Sequence, residues 1–272
     1  MSACNCLIEE PPDMMRRWAS GGILVGALAA GITCAPAAWL TRQVEHLSQQ
    51  RVLWQDVRGT VWSGSAQLVL SAGAGSQQAV ALPDRLSWRL SPSLLPRPSL
   101  EVTLSLPCCT PTPLHLHAQA DWSGTRVRVL DQQSTWPAAA LSGLGTPWNT
   151  VQAQGQLQLE TRALDIRWAE QRLQVTGQAT LNLLDLSSRL STLRPMGSYR
   201  LQLQGHQGTA PMQVQLDTLR GQLHLQGRGE WIGERWRFEG EARADPAVEA
   251  ALSNLLNVLG RRQGNKAQLT MG

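Results

Sequence analysis

The sequence predicts a mainly β protein: a single N-terminal transmembrane helix, then antiparallel meander sheets forming an open barrel or groove, then a C-terminal helix. Three observations carry this. Residues 18–41 contain no charged side chain. Period-two alternation of apolar and polar residues dominates the rest of the chain. Helix signals beyond the anchor are few and cluster near the end. Charged residues make up only 16% of the 272, well below the usual quarter, so uncharged groups must supply the polar surface, and repeated Gln does so. The net charge of +4 is scattered without a Lys/Arg block, which argues against a nucleic-acid footprint. Aromatic usage is lopsided, with 11 Trp against one Tyr and one Phe.

The expected organisation runs in order along the chain. Residues 1–17 form a cytoplasmic N-terminus, 18–41 the anchor, and 42–56 a membrane-proximal helix or linker. Residues 57–133 form a first β-half and 134–147 a loop or boundary. A second β-half with the C-terminal helix covers 148–260, and 261–272 is a tail in which residues 267–271 could add a short strand. As a helix rising about 1.5 Å per residue, the anchor would be about 36 Å long, enough to cross a hydrocarbon core. Trp18 and Trp39 fall near its two ends, where indoles favour the interface. Arg16 and Arg17 on the N-terminal side predict a cytoplasmic N-terminus and an exported body on a single-pass anchor. The small-x-small run Ala35-Pro36-Ala37 resembles a signal cleavage site, but the apolar run is longer than a signal core, so an uncleaved anchor is preferred. Thr33 before Cys34 argues against a lipoprotein. Gly22, Gly26 and Ala30 form a small-residue stripe that would pack another transmembrane helix.

Alternation marks the strands. Val102, Leu104 and Leu106 share one face, as do Leu114, Leu116, Ala118 and Ala120. Val151, Ala153, Gly155, Leu157 and Leu159 oppose Gln152, Gln154, Gln156, Gln158 and Glu160. Leu223, Leu225, Gly227 and Gly229 oppose Gln222, His224, Gln226 and Arg228. Side chains alternate across a strand, so these are half-buried strands with one wet face, the pattern of antiparallel sheets. An internal echo, Trp-x-Gly, closes alternating runs at Trp62-Ser63-Gly64, Trp122-Ser123-Gly124 and Trp231-Ile232-Gly233. Gly suits a hairpin turn there, and the Trp is expected to cap the apolar face. The expected structural positions are Gly59, Trp62, Gly64, Trp88, Gly197, Trp231, Gly233, Leu255 and Leu259. Near the end, Asp245 is a good N-cap and Pro246 fits a first turn. Val248, Leu252, Leu255 and Leu259 then recur at helical spacing before Gly260.

Chemistry is sparse. No phosphate loop, paired zinc motif or nucleophile elbow occurs. The acidic residues mostly have sufficient structural roles, so no catalytic, metal or cofactor residue is assigned and no enzyme is expected. Cys108 and Cys109 precede His115 and His117, but the prolines around them make a stiff loop. Solvated His and a Cys pair that is free or joined as neighbours are preferred over a metal site.

The residues also carry a family resemblance. The anchor is followed by Gly59-Thr60-Val61-Trp62-Ser63-Gly64-Ser65-Ala66, then Leu86-Ser87-Trp88-Arg89-Leu90 with Leu94-Leu95. Later come Pro195-Met196-Gly197-Ser198-Tyr199-Arg200-Leu201, the Gly-alternating strands ending at Trp231, and Leu255-Leu256-Asn257-Val258-Leu259-Gly260. In this order the chain resembles protein N of the bacterial type II (general) secretion pathway. That resemblance implies a Gram-negative inner-membrane, periplasm-facing accessory of the machine that moves folded proteins across the outer membrane. Its implied partners are other inner-membrane secretion subunits and the outer-membrane secretin, with no nucleic acid, no cofactor and no catalytic residues. The layout is also similar to AsmA-type and LptC-like periplasmic proteins, some of which hold lipid in an open β-groove. Lipid or hydrophobe binding is therefore the alternative function.

Overall fold

The computed structural model describes residues 22–23, 26–76, 79–122, 124–145, 148–169, 172–206, 211–232 and 235–271. Helical residues 26–33 lead to Pro36 and then to helix α1 (Ala37–Leu47). The strands are β1 (Val52–Gly59), β2 (Ser63–Ser71), β3 (Ala79–Ser93), β4 (Ser99–Ser105), β5 (Leu114–Asp121), β6 (Gly124–Val129) and β7 (Gln132–Pro137). A 3-10 helix (Ala138–Leu144) and the single turn α2 (Trp148–Val151) come next. The chain continues with β8 (Gln154–Ala169), β9 (Arg172–Ser187), β10 (Gly197–Gly205), β11 (Met212–Gly221), β12 (Leu223–Ile232) and β13 (Arg235–Ala244). Helix α3 (Glu249–Leu259), β14 (Arg261–Gln263) and β15 (Lys266–Met271) complete it.

These strands form one antiparallel sheet in the order β1-β2-β3-β4-β5-β6-β8-β9-β10-β11-β12-β13-β15-β14, with β7 also on β8. Each strand pairs with the next in sequence wherever a short turn allows it, which is what half-buried alternating strands joined by tight turns dictate. The mainly β, antiparallel character with a C-terminal helix agrees with the sequence reading. The expected boundary at 134–147 does not divide the sheet. Both β6 and β7 lie along the long strand β8, at opposite ends of it. Between them Asp131 Oδ1 accepts the Ala163 N–H at 2.6 Å, holding a bulge in β8. Gly177 faces that bulge, where a Cβ would collide with the Ala163 carbonyl.

The alternation puts every strand's apolar residues on one face. Leu157, Leu183, Tyr199, Leu223, Phe238, Ala242 and Ala267 share it, and three short elements cover part of it. Helix α3 lays Leu252, Leu255 and Leu256 on β13 and β15, all three buried. Each such side chain contributes about 1.5–3 kcal/mol by leaving water. The 3-10 helix begins at β8 and ends against β2, where a Cβ on Gly143 would meet the Leu70 carbonyl at 2.6 Å. In a flat sheet β2 would lie about 19 Å from the position of β7. Ala138 to Gly143 covers only about 10 Å of 3-10 helix. The first half of the sheet therefore curls over its apolar face with this segment as the plug.

Helix α1 seals the outer edge of β1. Ser48 Oγ accepts the Val52 N–H at 3.2 Å and Glu45 Oε1 accepts the Trp54 N–H at 3.1 Å. These outward donors would otherwise be a template for another strand. The opposite edge, β14, is three residues long and carries Arg261 and Arg262, which blunts it in a different way.

Four local expectations are corrected. The helix or linker expected through residue 56 ends at Leu47, and a strand starts at Val52. The uninterrupted anchor over 18–41 is broken at Pro36, which lacks an N–H and restrains Ala35, so α1 belongs to the body. Asp245 does not cap α3: its side chain sits 3.0 Å from His224 Nε2, and a 3-10 turn (Pro246–Val248) intervenes. The expected tail is ordered: residues 261–263 form β14, and the short strand expected at 267–271 is present as β15, starting at Lys266.

Candidate functional site

Two of the expected structural residues meet in the first hairpin. Gly59, with φ +89°, ends β1 in a turn no Cβ would fit. Gly64 pairs with Trp88 across β2 and β3, and a Cβ on it would fall 2.5 Å from the indole Cζ2. Trp88 is buried, donates through Nε1 to the Val61 carbonyl at 3.0 Å, and meets Trp54 edge-on at 6.0 Å. Gly64 is thus a seat for an aromatic ring rather than a turn residue. The device recurs. Gly197 lies under the Tyr199 phenol at 2.7 Å, Gly227 under Phe238, and Gly229 under Trp236 at 2.7 Å. The single Tyr and single Phe of the chain both sit in the C-terminal core this way. Sequence reasoning missed Tyr199, Phe238 and Trp236. The signal that could have found them is a glycine two residues away on the same strand, for Tyr199, or one diagonal to the ring on the adjacent alternating strand, for Phe238 and Trp236.

The Trp-x-Gly tryptophans do not cap the core. Trp62 is half-buried and donates through Nε1 to the Ile32 carbonyl at 2.8 Å, at the end of helical residues 26–33. Trp122 is fully exposed, and Trp231, 5.9 Å from Trp236, is also open to solvent. Each stands at or next to a turn, beyond the covered part of the sheet. Leu255 is buried and Leu259 packs at the edge of the same cluster. Gly233 lies outside the described residues. Gly22, Gly26 and Ala30 are exposed, with nothing within 4 Å of where a Cβ would stand on either glycine. The expected residues therefore fall into separate places, not one site.

What the structure does build is a joint between the N-terminal helix and the sheet. Ala35 accepts the Val61 N–H at 2.9 Å, Pro36 bridges Thr60, and Trp62 holds Ile32. Just beyond it the carboxylate of Asp56, at a bulge in β1, takes both Arg58 and Arg85. Those guanidinium hydrogen bonds, Arg58 first, hold the Asp56 carboxyl below its ordinary range.

Two faces extend from the joint. On the polar face, Gln178, Gln204 and Gln213 stand side by side across β9, β10 and β11. On the apolar face, Leu201, Leu203 and Met212 are only half-buried and belong to none of the covered core clusters, while the half-buried Leu181 packs at the margin of the cluster under the 3-10 helix. Cys108 and Cys109 form a disulfide in the β4–β5 loop, with Cys109 buried against Leu82 and Leu106. His115 and His117 lie on the polar face of β5, where His115 Nδ1 is 3.3 Å from Thr103 Oγ1. Among the described residues no group of three or more His, Cys, Asp or Glu could hold a metal ion.

The arrangement defines a class: a wide antiparallel sheet with one polar and one partly covered apolar face, bonded at the β1–β2 turn to an N-terminal helix. Residues 50–269 match the family model of type II secretion system (T2SS), protein N, and the chain belongs to that family. It is thereby an accessory component of type II secretion, and membership implies interaction with other components of that system. Comparison with curated proteins and with solved structures gave no match.

Proposed function

We propose that this chain is an inner-membrane-anchored, periplasm-facing structural connector of the type II secretion machinery, contacting other inner-membrane subunits and the secretin. The observation that carries this reading is the joint at residues 32–36 and 60–62. A body tied to a preceding helix by a β-bridge at Pro36 and Thr60, with its Val61–Ala35 hydrogen bond, and by the Trp62 indole on Ile32 is held beside that helix, as a connector requires. Exposed Ile23, Leu28 and Ile32 on the preceding helical residues support a lipid-facing anchor. Among the described residues no helix is long and apolar enough to cross a membrane, and residues 18–21, 24 and 25 of the expected span lie outside them. The Gln ladder offers hydrogen-bonding side chains to partners without repelling either charge.

In-cell photocrosslinking from Gln204 and Gln213 tests the reading. Adducts with secretion subunits are expected. Their absence, together with normal export in cells lacking the protein, would remove it. A second reading, a lipid- or hydrophobe-binding module, is favoured by the half-buried Leu201, Leu203 and Met212. Native mass spectrometry of the detergent-released chain separates the two, since only the second expects bound lipid.

A further inference from the structure

Strand direction alternates across the whole sheet, so the β1–β2, β3–β4, β5–β6, β8–β9, β10–β11 and β12–β13 turns all lie on one edge. The joint to the N-terminal helix is on that same edge, because Ala35 and Ile32 bind the β1–β2 turn. Large apolar side chains crowd it. Leu94 and Leu95 in the β3–β4 turn are 78% and 84% exposed, and Trp122 in the β5–β6 turn is 108% exposed. Trp168 and Leu173 pair across β8 and β9 next to their turn, both exposed, and Trp231 stands beside the β12–β13 turn. Trp39, in the first turn of α1, is exposed at the same end. Away from this edge Leu47, at the far end of α1, is the most open, and Trp148 and Leu219 near the opposite turns are each 42% exposed.

We infer that this turn edge rests on the surface of the bilayer that holds the N-terminal helix, with Leu94, Leu95, Trp122 and Trp168 in the lipid interface. The inference rests on the anchor reading above. Chain geometry supplies the argument for lipid as the occupant. The helix that precedes the body leaves through this edge, and the β-bridge and the Trp62 indole of the joint hold the edge at the helix end. Strands are about 4.8 Å apart, so neighbouring turns come down beside the anchor instead of reaching away from it. Indole rings favour the zone between headgroup and acyl chain because one part is apolar and the N–H is polar. Arg97, exposed beside Leu94 and Leu95, adds a cation suited to anionic headgroups. Water is a poor environment for four such side chains on one edge.

The test uses the full chain in vesicles of phosphatidylethanolamine and phosphatidylglycerol, with Cys4, Cys6 and Cys34 changed to Ser. A fluorophore is attached in turn at Trp122→Cys, Leu95→Cys, Gln222→Cys on the opposite edge, and Ile23→Cys in the anchor. Nitroxide carried on the lipid is the quencher. Labels at 122 and 95 lose most of their fluorescence to a shallow nitroxide, while the label at 222 keeps its own. Quenching at 23 without quenching at 122 and 95 would overturn this inference and leave the anchor standing. No quenching at 23 would remove both. Shielding of 122 that depends on added secretion proteins and not on lipid would assign the edge to a protein partner and overturn it as well.

Discussion

The Trp88 indole occupies the volume that a Cβ on Gly64 would fill, so this cross-strand pair packs β2 on β3 next to the β1–β2 turn. Gly64→Ala should therefore cost about 1–3 kcal/mol by overpacking. Combined with Trp88→Leu, the loss should be smaller than the sum of the two single changes, since they share one space. Denaturant midpoints of the detergent-solubilised chain check this, and strict additivity would show that the two residues are not coupled.

Trp62 and Trp88 should separate sharply. Trp88→Ala removes a buried ring and its hydrogen bond, at about 3–5 kcal/mol. Trp62→Ala removes a half-buried ring and one hydrogen bond to Ile32, and should cost roughly 1 kcal/mol or somewhat more. It should also loosen the joint, seen as faster amide exchange at Val61 with the rest of the sheet unchanged.

Acid should weaken the first hairpin through Asp56. Its carboxyl, held low by Arg58 and then Arg85, favours the charged form in the folded chain. The corresponding stability is complete above the ordinary value of 3.8 and is lost as pH falls through the lower folded value. Asp56→Asn should be less stable near neutral pH and should lose less on acidification. Melting temperatures taken from pH 7 down to pH 2 decide it, and parallel curves for the two proteins would count against the arrangement.

Alkali should act through Tyr199. Burial pushes its phenol far above the ordinary value of 10.0, and the OH donates to the Leu223 carbonyl at 3.0 Å. A raised folded value means the stabilisation is whole below about pH 10 and fades as pH rises further. Tyr199→Phe should cost about 0.5–1.5 kcal/mol at neutral pH and flatten the alkaline fall. Equal alkaline slopes in wild type and variant would contradict a buried phenol.

Helix α3 should be needed for the C-terminal core. Leu256→Ala removes a fully buried side chain from the contact with β13 and β15 and should cost about 2–5 kcal/mol. A thermal melt shifted no more than that of Asn257→Ala, on the exposed side of the same helix, would show that α3 does not cover the sheet.

Much of the β body was legible from alternation. Leu157, Leu223 and Leu225 could be placed on the apolar face because a strand's period is local and survives any arrangement of its neighbours. The role of the glycines was not legible. Gly64, Gly227 and Gly229 look like turn or spacing residues until the neighbouring strand brings Trp88, Phe238 and Trp236 over them, and Gly197 looks the same until Tyr199, two residues on in its own strand, leans over it. The tryptophans of the Trp-x-Gly echo misled in the other direction. They read as caps of the core, but they fall at hairpin ends, where the strands leave no room to fold a ring back inside.

By itself, then, the chain's order of residues determined the strands, their two faces, the C-terminal helix and the secretion-protein resemblance, all of which depend on short-range spacing or ordered landmarks. Only the tertiary structure decided that the two expected halves are one sheet, that a 3-10 segment plugs its curl, and that the N-terminal helix and exposed Trp122, Trp168 and Trp231 share an edge. Those relations join residues far apart in sequence. They depend on strand direction and register, which no local period encodes.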